Sequence, residues 1–361
     1  MTVPVDAYAS EPHFLDHLAS VWPLIPAELR GRFLAPRLVD RAARRGIQGA
    51  LDLAPGAVDG ATRPTIVAAY GDLKRARKAG RTRLALFQHG MGQSYGAAVG
   101  RSADAPSYPG GRDNGDVELF LCPNEHSAAR WRAAYPGARV EIVGSPRLDV
   151  LPRRRCDLCL MGEGPHAGHP PVVAFGFHWD CRIASETRTG FWEYRPAVVA
   201  AQRAFGLVLG HGHPRLFTHA GGFPRRWYER QRVPVVDDFT DVLEQADVYV
   251  FDNSSSGYEF ASTGRPVVVL DSFHYRPGAA HGLRFYEAAD VGVRVRRPVD
   301  VAGAIAEALA DPPERRIARE AALELVYAYR SGGARRAVDA ITDWLAGRSR
   351  RRGLTAVPVV A

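Results

Sequence analysis

Short apolar runs separated by polar or turn-forming segments recur along most of the chain. In the first half they lie at 65–69, 84–87, 119–122 and 140–143. In the second half they lie at 172–175, 207–209, 233–236, 248–251, 267–270 and 291–295. Mostly apolar runs without strict alternation are typical of parallel strands buried on both faces. The pattern therefore predicts two consecutive α/β units, each built on a parallel sheet.

Other parts of the chain have apolar residues at helical spacing, which predicts helices there. Apolar residues at helical spacing begin early, with Phe14, Leu15, Leu18 and Val21, so we expect the first sixty residues to be helical and loop-like. Further helices are predicted at 194–205, 241–245 and 258–263. The last helical stretch, 301–345, must break near Pro312 because proline cannot continue a helix. We expect its terminal part to pack back over the first domain or the hinge.

A change of composition divides the two units. Residues 151–171 read LPRRRCDLCLMGEGPHAGHPP, with neither a helical nor a strand period. We predict an N-terminal Rossmann-like domain at 1–155, a linker at 156–171, a C-terminal Rossmann-like domain at 172–347 and a basic disordered tail at 348–361. Two such domains form a cleft at the carboxyl ends of their strands, where ligands of open α/β sheets bind.

Composition and charge narrow the class of protein only slightly. The chain has 361 residues, 46% of them hydrophobic, which is enough for two cores. Its net charge of +8 favours anionic partners. Lys74 and Lys78 are the only lysines, so part of the arginine count is consistent with coding bias instead of anion binding, and we give the charge little weight. The basic run at 348–352 fits a solvated tail, or a contact with an anionic membrane or DNA.

The start of the chain lacks the pattern of a secretory signal. MTVPVDAYASEPHF has no basic region followed by an apolar one, and no apolar run approaches the ~18 residues of a membrane span. We therefore expect a soluble, cytoplasmic protein, with peripheral contact at the inner membrane face as an option.

One histidine follows directly on a predicted strand of the first unit. The run at 84–87 continues into Gln88-His89-Gly90-Met91-Gly92. The glycines permit close approach of the backbone to a ligand. An imidazole suits a general base because its unperturbed pKa of ~6.5 lets it accept a proton near neutral pH. His89 is thus a candidate base facing the cleft, with Gly90 beside the ligand, although a histidine that only completes a turn would read the same.

A second histidine follows a strand of the second unit. The run at 207–209 continues into Gly210-His211-Gly212-His213-Pro214-Arg215. Pro214 disfavours a helical conformation at the preceding residue, so the ring of His213 should project from the strand end. An imidazole and a guanidinium together match phosphate oxygens. We therefore predict that His213 and Arg215 contact a diphosphate.

A serine-rich turn follows the strand at 248–251. Asp252 to Pro266 read DNSSSGYEFASTGRP, which predicts a turn followed by a helix. Ser254, Ser255 and Ser256 would then lie at the helix N-terminus, where unpaired N–H groups and hydroxyls bind phosphate. Glu259, one turn further, could accept hydrogen bonds from a ribose diol. An ordinary serine cap, with the glutamate completing a capping box, is the alternative.

The linker contains four residues that zinc could use. Cys156, Cys159, His166 and His169 lie within fourteen residues of a segment rich in glycine and proline. Zinc in structural sites takes such a Cys₂His₂ set, although this spacing is not that of the common zinc finger. A structural zinc clip and four ordinary loop side chains both fit these residues.

Taken together, these segments resemble the CDP-glycerol glycerophosphotransferases that build and prime teichoic acids. The similarity covers roughly residues 80–275 and includes His89-Gly90, the segment CPNEHSAARWRAAYPGARVEIVGSPRLDVL, His213-Pro214, and Asp252-x-Ser254-Ser255 with an acidic residue at 259. The family usually has aspartate at the acidic position, and its polymerases more often have HGT where this chain has HGMGQS. The spacing from Glu259 through Gly264 to Pro266 is also shared by many nucleotide-sugar transferases.

The resemblance implies a fold and a chemistry. The fold would be the GT-B architecture: two doubly wound Rossmann-like domains facing across a cleft, with C-terminal helices crossing back. His89 would be the catalytic base, His213 the group that stabilises the donor diphosphate, Ser255 another phosphate ligand, and Glu259 the acidic member of that site. The substrates would be a nucleotide-diphosphate donor, either CDP-glycerol or a sugar nucleotide, and a hydroxyl on a polymer, lipid or nucleic acid. No cofactor would be required.

Three other functions fit the same residues. A sugar-nucleotide transferase would act on protein, lipid or modified DNA. A non-hydrolysing UDP-sugar 2-epimerase would form its product without any acceptor. A non-catalytic nucleotide-binding protein would keep the cleft and show no turnover. The oligomeric state cannot be read from the sequence.

Overall fold

Two all-parallel β-sheets, one in each half of the chain, organise the fold. The computed structural model describes residues 3–58, 62–89, 91, 114–151, 170–180, 188–218, 220–272 and 290–347. Within these residues the first sheet comprises β1 (Val5–Tyr8), β2 (Arg30–Leu34), β3 (Thr65–Val67), β4 (Leu84–Phe87), β5 (Val117–Cys122) and β6 (Arg139–Ile142). The second comprises β7 (Val173–Phe177), β8 (Val208–Gly212), β9 (Val248–Phe251), β10 (Val267–Leu270) and β11 (Val293–Val295).

Helices connect and cover these strands. Those in the described residues are α1 (Pro12–Ala19), α2 (Val39–Arg44), α3 (Tyr70–Lys78), α4 (Glu125–Ala134), α5 (Phe191–Phe205), α6 (Pro214–Thr218), α7 (Phe223–Arg230), α8 (Phe239–Gln245), α9 (Ser256–Ala261), α10 (Val301–Ala310), α11 (Pro313–Val326) and α12 (Gly333–Leu345). None of these described helices is both long and apolar enough to cross a bilayer.

The two sheets share one strand order. The first runs β2-β1-β3-β4-β5-β6 and the second runs β8-β7-β9-β10-β11. Counted from the start of each unit, both follow the order 2-1-3-4-5, one of the common doubly wound orders, and the first sheet adds a sixth strand at its end. Ligands of such sheets bind at the carboxyl ends of the strands where the order reverses, between β1 and β3 and between β7 and β9. The two-domain α/β class predicted from the sequence is confirmed.

Both faces of each sheet are buried, which explains why the strands read as continuous apolar runs. Leu121 of β5 points into one core cluster of the first sheet and Phe120 into the other. In β9, Val250 and Phe251 likewise lie in different clusters of the second sheet. Successive side chains of a strand point to opposite faces, so a strand covered on both sides is apolar at every position.

The C-terminal helices pass from the second domain to the first, as predicted. Leu323 and Val326 of α11 lie in a core cluster of the second sheet. After α11 the backbone N–H of Ala328 donates to the carbonyl of Pro123 in the first domain, at 3.0 Å. Ile341 and Trp344 of α12 then lie in the core cluster that includes strands β1 and β4. The last helix therefore belongs structurally to the first sheet.

The expectation that the first sixty residues contain only helix and loop is wrong. The helix there is confirmed as α1, but β1 and β2 also form, and β1 lies inside the sheet between β2 and β3. β1 carries Asp6, which is fully buried and accepts hydrogen bonds from Arg32 and Arg81, each at 3.0 Å. A charged residue inside a four-residue strand interrupts the apolar pattern from which strands are predicted. Its burial is tolerated because Arg32 and Arg81, which lie far from it in the sequence, bind the carboxylate.

One predicted strand does not form. Residues 233–236 make only an isolated parallel bridge between Gly210 and Val235. Pro234 has no N–H and cannot extend a ladder, so the segment stays at the edge of β8. Every other apolar run predicted as a strand forms one, with shifted bounds in several cases. The domain boundaries stay a prediction, since residues 152–169 and the tail at 348–361 lie outside the described residues.

Candidate functional site

Histidine side chains from both domains meet between the carboxyl ends of the two sheets. The ring centroid of His13, at the start of α1, lies 6.0 Å from that of His89 and 5.3 Å from that of His213. The ring of His178, directly after β7, lies 5.4 Å from His213. We call His89, His13, His213 and His178 the histidine row. It brings the two histidines singled out from the sequence into one cluster and places His13 between them.

The hydrogen bond of His89 fixes its tautomer. Nδ1 of His89 lies 2.5 Å from the carbonyl oxygen of Ala68, just after β3. A carbonyl only accepts, so Nδ1 carries the hydrogen and the lone pair of the neutral ring is on Nε2. Burial lowers the pKa of His89 to about 4, although the Ala68 hydrogen bond opposes this shift. At neutral pH the ring is therefore uncharged, the form that accepts a proton.

His213 has the opposite tautomer. The backbone N–H of Arg215 donates to Nδ1 of His213 at 3.1 Å, so the hydrogen of the neutral ring is on Nε2. Burial, followed by the neighbouring His178 and Arg215, lowers the pKa of His213 well below its usual value. A neutral ring with a hydrogen on Nε2 can donate to a phosphate oxygen. The geometry of the strand end after β8 thus suits the predicted diphosphate contact.

The side chain of Arg215 lies at the mouth of the same strand end. Its guanidinium carbon is 4.8 Å from the ring centroid of Trp179, and one guanidinium nitrogen is 3.8 Å from a carboxylate oxygen of Glu11. Glu11 belongs to the first domain and Trp179 to the second. Both groups that surround the guanidinium are partly exposed, so an anion could replace the long ion pair at little cost.

The serine-rich turn lies where the sequence predicts it, but its hydrogen bonds differ. α9 begins at Ser256, and Ser255 occupies the N-cap position without a side-chain capping bond. Instead, the Ser254 hydroxyl accepts from the N–H of Ser256 at 3.3 Å and lies 2.7 Å from the Ser256 hydroxyl. The expected serine cap is therefore wrong in detail. The three serines still lie between β9 and the first turn of α9, at the switch point of the second sheet.

Asp252 has a structural role at that switch point. Its carboxylate is buried and accepts the backbone N–H groups of His178 and Gly190, each at 2.9 Å. These bonds tie the end of β9 to the loop after β7 and to the start of α5. Asp252 thereby holds His178 of the histidine row in place.

Glu259 faces the first domain. Its side chain is only 5% exposed, and one carboxylate oxygen lies 3.2 Å from Nε of Arg147 while the other lies 3.8 Å from Nε2 of His17. Burial raises the pKa of Glu259, and Arg147 opposes that rise. A capping box is not formed. The ribose contact stays a prediction, and it requires the sugar to share or replace the pairing with Arg147.

Charged side chains also join the domains beneath the histidine row. Arg41 of α2 and Arg45, directly after that helix, both bind the carboxylate of Asp238 at the start of α8, with closest distances of 2.8 and 3.0 Å. The same two arginines bind Asp16 of α1, at 2.6 and 3.1 Å. Bidentate arginine–carboxylate pairs of this kind restrict geometry as well as adding free energy. They hold α1, and with it His13, against the second domain.

Some predicted positions lie outside the described residues, namely Gly90, Cys156, Cys159, His166 and His169. Within the described part of the chain, no group of three or more His, Cys, Asp or Glu side chains could hold a metal ion. The zinc clip therefore stays a prediction.

Sequence reasoning missed His13, His17, His178 and Arg147. The sequence contains a signal for His178, because this residue directly follows the apolar run that forms β7. It contains no such signal for His13, because β1 is not predicted from the sequence and His13 therefore follows no predicted strand. His17 and Arg147 contact Glu259, which lies more than 100 residues away in the sequence.

Comparison with known proteins shows the fold. No family model and no curated protein matches the chain. Among solved structures, S. aureus MnaA with UDP has 13% identity and a TM-score of 0.63, covering 95% of this chain and 97% of that one. The Neisseria meningitidis UDP-GlcNAc 2-epimerase bound to UDP-GlcNAc has 11% identity and a TM-score of 0.59, and the match covers 94% of this chain and 100% of that one. The wall teichoic acid polymerase TagF has 14% identity and a TM-score of 0.58, and the match covers 96% of this chain and 90% of that one. The chain shares their two-domain GT-B architecture.

Proposed function

We propose that the protein is a transferase that binds a nucleotide-diphosphate donor in the cleft lined by the histidine row. It would move a glycerophosphate, polyol-phosphate or glycosyl group to a hydroxyl acceptor. One observation carries the proposal: His89 and His213, with complementary tautomers, meet through His13 where the two sheets place their ligand-binding ends. Solved structures with the same fold include a variant of TagF soaked with CDPG and proteins bound to UDP or UDP-GlcNAc. These ligands support a nucleotide donor.

The two tautomers assign a role to each histidine. Nε2 of His89 takes the acceptor's proton while the hydroxyl oxygen attacks the β-phosphorus of a CDP-polyol or the anomeric carbon of a sugar nucleotide. The bond from that atom to the nucleotide's phosphate oxygen breaks, and the nucleotide leaves with the electron pair. Nε2–H of His213, Arg215 and the hydroxyls of Ser254 and Ser255 stabilise the departing phosphate. Donors fixed in advance are the arrangement that lowers such barriers most.

A second candidate is epimerisation of a UDP-sugar. It is favoured by the overlap with MnaA and with the UDP-GlcNAc 2-epimerase, which extends over nearly the full length of each protein. The two functions share the nucleotide site and differ in the need for an acceptor. Incubation with UDP-GlcNAc alone distinguishes them, because an epimerase converts the sugar nucleotide without any other substrate.

A thermal-shift panel tests the nucleotide site itself. CDP-glycerol, CDP-ribitol, UDP-glucose, UDP-GlcNAc and GDP-mannose are compared at equal concentration. A ligand at a hundred times its Kd stabilises the folded protein by ~2.7 kcal/mol, so at least one member should raise the melting temperature clearly. No shift with any member, repeated with CDP and UDP, would contradict the proposed donor site.

Replacement of Glu259 by alanine tests the ribose contact. Hydrogen bonds to a charged group contribute about 1.5–3 kcal/mol, so nucleotide affinity should fall about 10- to 100-fold. Titration calorimetry with the nucleotide found in the panel measures this change. Glu324→Ala, a glutamate exposed on α11, is the matched control and should bind normally. Equal nucleotide affinity in Glu259→Ala and in the wild type would contradict the proposed contact between Glu259 and the ribose.

A further inference from the structure

His13 occupies the junction between the two halves of the proposed site. It is the second residue of α1, in the first domain, yet its ring lies closer to His213 of the second domain than to His89 of its own. Arg41 and Arg45 hold α1 in this position through Asp16 and Asp238. The position of His13 is thus fixed by both domains.

The surroundings of His13 lack a natural partner for its ring. Nδ1 of His13 is buried and has no hydrogen-bond partner in the described part of the chain. The side chains that act on the ring are His213 from the end of β8, His89 from the end of β4, His17 from its own helix and Arg147 from the 3-10 helix after β6. All of them are neutral or cationic. A buried polar nitrogen among such groups is stabilised by an anion that accepts its hydrogen.

We propose that His13 is a ligand of the donor diphosphate, supplied by the first domain, so that the diphosphate bridges the start of α1 and the end of β8. The inference rests on the proposed function, and it adds a contact that the sequence did not suggest. His89 would then take the proton of the acceptor. His213 and Arg215 would contact one side of the diphosphate, and His13 would contact the other side. Tight binding of the diphosphate would require both domains.

The proposal predicts proton uptake when the diphosphate binds. Burial, followed by His213, His89, His17 and Arg147, lowers the pKa of His13 well below 6.5, so the free protein holds a neutral ring at pH 7. A neighbouring diphosphate favours the charged ring and raises that pKa. Between the two pKa values the complex binds more protons than the free protein, so affinity rises as the pH falls. Glu11, the nearest carboxylate along the chain, pairs instead with Arg215.

Calorimetry in two buffers of different ionisation enthalpy counts these protons. CDP and UDP are titrated at pH 7 into the full-length protein and into His13→Gln and His13→Asn. In His13→Gln we expect affinity to fall about tenfold and proton uptake to fall measurably below the wild-type count. In His13→Asn the amide nitrogen lies near the former Nδ1, so part of the affinity should return without the proton uptake. Melting temperatures without ligand confirm that each variant is folded.

The outcomes separate this inference from the proposed function. Wild-type affinity and proton uptake in both variants would overturn the role of His13 while leaving the nucleotide site intact. Weaker binding with an unchanged proton count would also overturn it, because a purely structural role predicts that result. Failure of the wild-type protein to bind any nucleoside diphosphate would instead contradict the proposed function on which the inference rests.

Discussion

His89→Ala should reduce turnover of the donor by about 10²- to 10⁴-fold, the range that a positioned general base contributes. The substitution removes the Nε2 lone pair that takes the acceptor's proton. Nucleotide affinity should stay close to that of the wild type, because the proposed diphosphate contacts come from His213, Arg215, His13 and the serine turn. Steady-state rates with the donor found in the panel, together with calorimetric affinity, measure both quantities.

The split between rate and affinity distinguishes the base from a structural residue. His89 also donates from Nδ1 to the carbonyl of Ala68, so His89→Asn, whose amide nitrogen lies near the former Nδ1, is a comparison in which this hydrogen bond can remain. We expect His89→Asn to be as inactive as His89→Ala and to melt closer to the wild-type temperature. Near-normal turnover in either variant would remove His89 from the mechanism.

Asp6→Ala should lower the free energy of unfolding by about 3–5 kcal/mol, the cost of breaking a buried ion pair by removing one partner. The carboxylate of Asp6 and the side chain of Arg81 are both fully buried and lie 3.0 Å apart. Without Asp6 the guanidinium of Arg81 loses that counter-charge, and β1 loses the bonds that Asp6 accepts from the backbone and side chain of Arg32 in β2. Denaturant unfolding at neutral pH measures the change.

An exposed ion pair provides the matched control. Asp300 pairs with Arg297 at the surface, where such pairs contribute little, so Asp300→Ala should leave the unfolding midpoint almost unchanged. Because β1 lies beside β3 and leads directly into α1, loss of Asp6 should also weaken nucleotide binding. Equal midpoints for Asp6→Ala and Asp300→Ala would show that the buried pair does not hold β1 in the sheet.

The local hydrophobic pattern is sufficient to predict those strands that are buried on both faces. The strands β4, β7, β9 and β10 are apolar throughout, and their ends could be located from the sequence within a few residues. His89, His213 and the serine turn were found for the same reason, because each follows such a run. The prediction failed at β1, where the buried Asp6 depends on Arg32 and Arg81, two residues that only the folded chain brings near.

The roles of Glu259 and His13 also depend on distant partners. From the sequence, Glu259 could only be placed one turn into a helix, with ribose as its candidate partner. Its neighbours Arg147 and His17 come from the first domain, and nothing in the local sequence indicates this pairing. His13 enters the site because a charged network between the domains positions α1. Contacts between domains are thus the part of the site that local pattern does not predict.

The position of a bound nucleoside diphosphate is the decisive test of the proposed donor site. A crystal structure with CDP or UDP, whichever binds in solution, locates the two phosphates relative to the histidine row. We expect phosphate oxygens within hydrogen-bond distance of Nε2 of His213 and beside Ser254 to Ser256, with Nε2 of His89 facing the acceptor side. A nucleotide bound elsewhere on the protein, with the histidine row unoccupied, would contradict it.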